Sequence, residues 1–160
     1  MNNVKIPSKE ECLVILKKNK TPSNIIKHCK AVCKFAEDMA EKLIKKGFKV
    51  NKKLVIAATL LHDIEREKDN HIIEGAKLLK SLGFPEVAEV IKKHSLYENE
   101  REENQPVKIE EKIMFYADKR VKDNKVVSLE ERFEDAERRY NIDLKNEFEF
   151  CKKIEKELLQ

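Results

Sequence analysis

The chain is 160 residues long, 40% of them Asp, Glu, Lys or Arg and 41% hydrophobic, with three Gly, four Pro and no Trp. Its formal charge of +4 is the small difference between 34 basic and 30 acidic side chains, so net charge singles out no class of partner. Roughly two thirds of the unfolded surface of a chain this size is buried, enough to fold without disulfides or structural metal, and no apolar run approaches the ~20 residues of a membrane span.

The N-terminus carries no apolar signal core, so a cytoplasmic protein with no membrane partner is expected. In chain order, nearly every segment repeats its apolar residues at helical period. Ser8 with Glu11 spells a capping box for a short first helix ending near Lys18. Thr21 and Pro22 open a long second helix, closed by Gly47, with the stripe Ile25, Cys29, Val32, Phe35, Ala36, Met39 and Leu43. His28 lies four residues before Val32 on the flank of that stripe and is expected to point inward. Asn51 is the next N-cap, with Val50 and Val55 placed as a hydrophobic staple, and Leu54, Ala57, Ala58 and Leu61 run up to the pair His62-Asp63. A helix from about Asn70 to Leu82 has His71 in its first turn and ends at Gly83. Pro85 starts another, in which Val87, Val90 and Ile91 precede His94 on the same face. The polar, acidic stretch from Ser95 to Gln105 is expected to be a mobile loop beside His94. Ile109, Ile113, Met114, Phe115 and Ala117 mark an apolar helix that carries Asp118 and continues to about Val121. Ser128 and Glu131 spell a second capping box for a helix through Tyr140, and Leu144, Phe148, Cys151, Ile154 and Leu158 draw a last amphipathic helix. There is no alternating strand pattern, repeat or domain boundary, so the expected fold is all-α, one compact domain over 1–160 built as a bundle of about seven or eight helices.

Charge is unevenly spread: residues 1–50 hold twelve Lys against five acidic residues. Such a basic third can attract phosphates or nucleic acid, but aromatics do not interleave the lysines as stacking platforms would, and a solvated Lys-rich face is the plainer reading. Cys12, Cys29, Cys33 and Cys151 include no CxxC pair and are expected to be reduced. Cys29 and Cys33, one turn apart beside His28, have the spacing of a soft metal site, yet their positions also fit the apolar pattern of their own helix as small buried hydrophobes.

Burying an ionisable side chain against apolar neighbours is unfavourable unless it is paired or holds a metal. Here His28, His62, Asp63, His94 and Asp118 each sit on or beside an apolar stripe. Imidazole nitrogen with carboxylate oxygen, and no thiolate, suits Zn, Fe, Mn, Co or Ni and argues against a purely structural zinc site. Adjacent helical residues project about 100° apart, so an ion held by both His62 and Asp63 lies between their directions, with other helices closing the shell. Taken singly, each has a plainer role as a hydrogen-bonded core histidine or an ion-paired aspartate. His71, after Asp69 and Asn70, equally fits an exposed first-turn position.

His28, the pair His62-Asp63 between Leu61 and Ile64, and Asp118 between Ala117 and Lys119 resemble, over roughly residues 22–140, the H…HD…D signature of HD-domain metal-dependent phosphohydrolases. The resemblance implies an all-α bundle in which these four residues bind one divalent transition metal. His71 and His94 resemble the additional histidines of members with a second ion, in which Asp63 would bridge the two. Many relatives read His-Asp-x-Gly-Lys, whereas Glu65 and Arg66 stand in the last two positions here. Arg66 keeps a cation suited to gripping a phosphate bidentately, and Glu65 has no evident role. Ser95 follows His94 and no Gly-Tyr-Pro triplet is present, unlike the cyclic-dinucleotide phosphodiesterase branch. The segments Asp118-Lys119-Arg120 and Ser128 to Phe133 are similar to small bacterial HD proteins.

The activity implied by that resemblance is hydrolysis of a phosphate ester of a nucleotide or other small phosphorylated metabolite, with one or two ions (Mn, Fe, Co, Ni or Zn) activating water. His62, Asp63 and Arg66 are the expected catalytic residues, and Arg66, Lys119 and Arg120 the expected phosphate-binding ones. A compact domain without an added nucleic-acid module offers little surface for a polymer. The alternative is a sensor that uses the same site to hold a nucleotide or metal without turnover.

Overall fold

The computed structural model describes residues 5–94 and 105–160. Among these residues the helices are α1 (Lys9–Lys18), α2 (Ser23–Lys45), α3 (Lys52–Leu61), α4 (His71–Ser81), α5 (Pro85–Ile91), α6 (Ile109–Lys119), α7 (Leu129–Tyr140) and α8 (Lys145–Leu159). A 3-10 turn, Lys92–His94, extends α5, and a two-stranded antiparallel hairpin, β1 (Val121–Lys122) and β2 (Lys125–Val126), links α6 to α7 with Val121 opposite Val126. The fold is all-α, as the periodicity predicts. None of the helices is long and apolar enough to cross a membrane.

Local chemistry explains the helix starts. Ser8 Oγ accepts from the Glu11 amide at 3.1 Å while the Glu11 carboxylate accepts from the Ser8 amide at 3.4 Å, the reciprocal box that opens α1. Asn51 Oδ1 accepts from the Leu54 amide at 3.1 Å at the start of α3, and Ser128 Oγ accepts from the Glu131 amide at 3.1 Å at the start of α7. Gly47 and Gly83 follow the ends of α2 and α4 with φ of +101° and +92°, a conformation that glycine adopts without a Cβ clash.

Two boundaries differ from the sequence reading. The apolar pattern of α3 runs to Leu61 and there the helix stops, so His62-Asp63 stand at its C-terminus and residues 62–70 form successive turns. Similarly α6 ends at Lys119 and Val121 enters the hairpin, whose two-residue strands are too short to show an alternating pattern. The stretch read as a loop beside His94 lies, over 95–104, outside the described residues.

Two apolar clusters form the core. One gathers Val32, Ala36, Met39 and Leu43 of α2 with Phe115 and Tyr116 of α6, Phe133 of α7 and Cys151, Ile154 and Leu158 of α8. The other gathers Cys12 and Leu16 of α1 with Leu54, Ala57 and Leu61 of α3, Leu79 of α4 and Val87 and Ile91 of α5. Helices α2, α3 and α6 contribute to both, through Cys33, Val55 and Met114 on their second faces. Alanines at 57 and 58 keep the surface of α3 low, which lets α2, α5 and α6 pack close around it. The three helices wedged between the clusters are those that bear His28, His62-Asp63 and Asp118.

Candidate metal centre

Six of the side chains singled out by sequence meet at one end of this wedge. His28, His62, Asp63 and Asp118 offer ligand atoms within 4.8 Å of one another, and Asp63, His71 and His94 form a second such group. Asp63 belongs to both. Its Oδ2 lies 3.3 Å from His62 Nε2 and 3.6 Å from His28 Nε2, while its Oδ1 lies 3.6 Å from His94 Nε2 and 3.8 Å from His71 Nε2. Asp118 Oδ1 is 3.1 Å from His28 Nε2 and 3.2 Å from His62 Nε2. His62 is fully buried, and Asp63, His94 and Asp118 are nearly so.

Backbone carbonyls set the orientation of three rings. His62 Nδ1 donates to Thr59 O at 2.6 Å, His94 Nδ1 to Ile91 O at 2.5 Å, and His28 Nδ1 to Asp123 O, in the hairpin turn, at 2.6 Å. A carbonyl only accepts, so the proton of each neutral ring resides on Nδ1 and the lone pair on Nε2. Those lone pairs are aimed at carboxylate oxygens, acceptor against acceptor, an arrangement that is repulsive unless a positive charge lies between them. His94 Nε2 is moreover buried with no hydrogen-bond partner. Converging nitrogen and oxygen acceptors, each backed by a carbonyl on its far side, are the donor set and outer shell of a transition-metal site, and the residues fit such an ion.

Electrostatics point the same way. Burial by itself would depress the His62 imidazolium, but the Asp63 and Asp118 carboxylates outweigh it and hold its pKa well above the usual histidine range. Burial would likewise raise both aspartates, yet His62 holds Asp63, and Lys119 with His62 holds Asp118, well below the ordinary carboxylate range. His71 is pushed down, chiefly by burial. The carboxylates thus demand a cation where the side chains meet, a demand that a proton on His62 meets with one charge and a divalent ion with two.

The three expected phosphate-binding cations part ways. Arg66 is exposed and lines a cavity of about 880 Å³ that opens onto both clusters. Lys119 also lines it, but its ammonium is buried and donates to Asp118 Oδ2 at 2.8 Å and His94 O at 3.0 Å, so it braces a candidate ligand. Arg120 does not reach the cavity: its guanidinium donates to Val127 O and to the Tyr116 hydroxyl, each at 2.6 Å, and stacks over Phe35. The physical reason is that α6 ends at Lys119, and the next residue turns away with the hairpin.

Glu65 is explained by the fold. Its carboxylate, almost fully buried, accepts from Asn19 Nδ2 and Lys68 Nζ, each at 2.5 Å, while Asn19 Nδ2 and Thr21 Oγ1 donate to Ile64 O at 3.2 and 3.3 Å. The turn after Asp63 is thereby pinned to the α1–α2 corner. The sequence places Asn70 at the start of α4 and Arg132 in the 128–133 segment but assigns neither a role: Asn70, with φ of +57°, turns the chain into α4 so that His71 is its first residue, and Arg132 of α7 lines the cavity. Asn among turn residues signals the first, since it tolerates the left-handed region. Arg132 stands beside Phe133 and four residues before Ala136 on the buried side of α7, a cation at the edge of an apolar stripe.

A helical bundle that brings buried histidines and aspartates together at the meeting point of three central helices defines a class of metal-binding all-α domains. The family model described as HD domain matches residues 25–122, from the first turn of α2 to the hairpin, and the chain belongs to the HD-domain superfamily of metal-dependent phosphohydrolases. It is 31% identical over 144 residues to an uncharacterized protein of Methanocaldococcus jannaschii, covering 81% of this chain and 85% of that one. It is also 34% identical over 140 residues to the tRNA (cytidine(56)-2'-O)-methyltransferase of Picrophilus torridus, a match over 79% of this chain that spans only 40% of that enzyme. No solved structure is a significant match.

Proposed function

We propose that this chain is a metal-dependent phosphohydrolase acting in the cytoplasm on a phosphate ester of a nucleotide or another small phosphorylated metabolite. The observation that carries the reading is the division of Asp63: one oxygen faces His28 and His62, the other faces His71 and His94. On this reading His28, His62, Asp63 and Asp118 would hold one ion and Asp63, His71 and His94 would hold a second, with Asp63 common to both groups. Divalent ions of the Mn, Fe, Co, Ni or Zn class would supply Lewis acidity toward phosphoryl oxygen and lower the pKa of water towards neutrality.

The chain's own residues do the rest. Carbonyls of Thr59, Ile91 and Asp123 keep three Nε2 atoms bare and aimed. Lys119 holds Asp118 Oδ2 so that Oδ1 remains on the histidine side. Arg66, beside His71 at the cavity wall, is placed to grip a phosphate as a planar fork. A cavity of about 880 Å³ suits a nucleotide-sized molecule and is far too small for a duplex. The similarity of this region to part of an enzyme named for a tRNA cytidine supports a nucleotide-like substrate.

Metal analysis of the purified protein, followed by hydrolysis assays over nucleotides, cyclic nucleotides and an aryl phosphate, tests the proposal. Wild type is expected to carry metal and to hydrolyse at least one compound, and His62→Ala and Asp63→Ala to lose both properties. Wild type without metal, or an Asp63→Ala variant as fast as wild type, would refute the mechanism. Metal with no turnover on any compound would instead favour a sensor that holds a nucleotide at the same site.

A further inference from the structure

We infer that the cavity contains a second anion-binding subsite centred on Arg132 of α7, and that the substrate carries a second phosphate in addition to the one hydrolysed, an inference that rests on the phosphohydrolase reading above. The cavity reaches beyond the two metal clusters to a wall built from α7 and the hairpin, and its volume of about 880 Å³ is near the upper end of the roughly 300–1,000 Å³ range of small-molecule sites.

The cations of that wall differ in how they are satisfied. Lys122 Nζ lies 3.2 Å from Asp135 Oδ1, and Arg139 Nη2 lies 3.2 Å from Asp135 Oδ2, so one carboxylate holds both. Asp135 is also the i+3 neighbour of Arg132 and the natural acceptor for it, but Arg138 takes a further share of the same carboxylate at 3.5 Å. Arg132 is left over. It is half-buried, it lines the cavity, and its Nε is shielded from solvent with no hydrogen-bond partner among the described residues. A shielded guanidinium donor without an acceptor is unfavourable in the free protein, and a ligand oxygen would relieve it. The ligand chemistry follows from the fork: a phosphate matches its spacing and charge, and Lys122 and Arg139, fixed by Asp135, add two further cations at the same wall.

This subsite is not the place of the phosphate that reacts. The candidate ligands of that phosphate's metal stand on α2, α6, the first turn of α4, the 3-10 turn and, with Arg66, the turns after α3, whereas Arg132 stands on α7, which supplies none of them. Two anion sites at different walls of one cavity select a molecule with two separate phosphates.

Adenosine 5'-monophosphate and adenosine 3',5'-bisphosphate are suitable probes, used with metal-loaded wild type, Arg132→Met and Arg132→Lys. Wild type is expected to favour the bisphosphate by about tenfold or more in kcat/KM, and Arg132→Met to raise its KM by about tenfold with a smaller rise, below about threefold, for the monophosphate. Arg132→Lys, which keeps the charge without the fork, should recover part of the loss, and it carries the comparison if Arg132→Met melts well below wild type. Equal shifts for both nucleotides, or none for either, would overturn the subsite and leave hydrolysis standing. If wild type hydrolyses neither of these two nucleotides, calorimetric binding decides the subsite alone: weaker binding of the bisphosphate to Arg132→Met by about tenfold supports it, and equal binding overturns it.

Discussion

Asp63 touches every histidine of the site and its neighbour Asp118 touches two, which makes the two aspartates unequal in a way that metal counting reveals. In the proposed two-ion site Asp63→Asn would replace the carboxylate shared by both ligand groups with an amide that supplies one weak oxygen, and both ions should be lost together. His94→Ala removes one ligand of the second group only, so one ion should remain. Elemental analysis after gel filtration separates the cases, and a phosphohydrolase rate should fall by more than about 100-fold in Asp63→Asn. Retention of one full equivalent by Asp63→Asn would show that the oxygens do not bridge. Much of this site was legible in sequence because a His or Asp on an apolar stripe is anomalous wherever it occurs. Lys119 and Arg120 were not separable in that way: successive residues at a helix end differ by about 100° and by whether the helix continues, and only the fold shows that one braces Asp118 while the other caps the hairpin. Arg132, within the 128–133 segment, has no role legible in sequence for the opposite reason, since a cation among the acidic residues of α7 looks like ordinary surface.

At the level of elements, the turns of residues 62–70 do as much to build the site as the helices they join. The helices themselves were predictable from caps and period, but a turn held by side chains from another corner of the chain leaves no local pattern. Two variants probe it. Asn70 has φ +57°, so Asn70→Val, with a branched Cβ in the left-handed region, should cost about 1–2 kcal/mol, whereas Asn70→Gly should be close to neutral. For a chain of this size that is a fall in Tm of roughly 2–8 °C, readable by circular dichroism, and the ion facing His71 should be the first lost. Equal melting of the two variants would mean that the αL turn is not what sets the start of α4. The second variant is Glu65→Ala, which strips the acceptor from Asn19 and Lys68 and should lower stability by about 1–3 kcal/mol. Glu65→Gln keeps an oxygen for Asn19 and should lose less, and if the two variants denature at the same urea concentration the Asn19 bond contributes nothing.

For the whole molecule, the arrangement of α2, α3 and α6 between two apolar clusters raises the question of whether the halves unfold together, and the buried thiols answer it. Cys12 lies in the cluster of α1, α3, α4 and α5, and Cys151 in that of α2, α6, α7 and α8. Burial, the main cause for each, lifts both pKa values to about 12, against about 8.5 for a free thiol. At pH 8 only about one such thiol in ten thousand is ionised in the folded chain, so neither should react with a thiol reagent until its cluster opens. Because the folded pKa values exceed the unfolded ones, the stability these thiols confer is intact below about pH 8.5 and declines as pH rises towards 12. Mass spectrometry of chain alkylated at pH 8 over a urea series then follows the two positions separately. A single cooperative domain, in which three helices are shared by both clusters, requires Cys12 and Cys151 to become reactive over the same urea range and at rates that fall together when metal is added. Reaction of Cys151 at lower urea than Cys12 would show that α7 and α8 detach first, and it would limit the protection given by metal to the helices that carry its ligands.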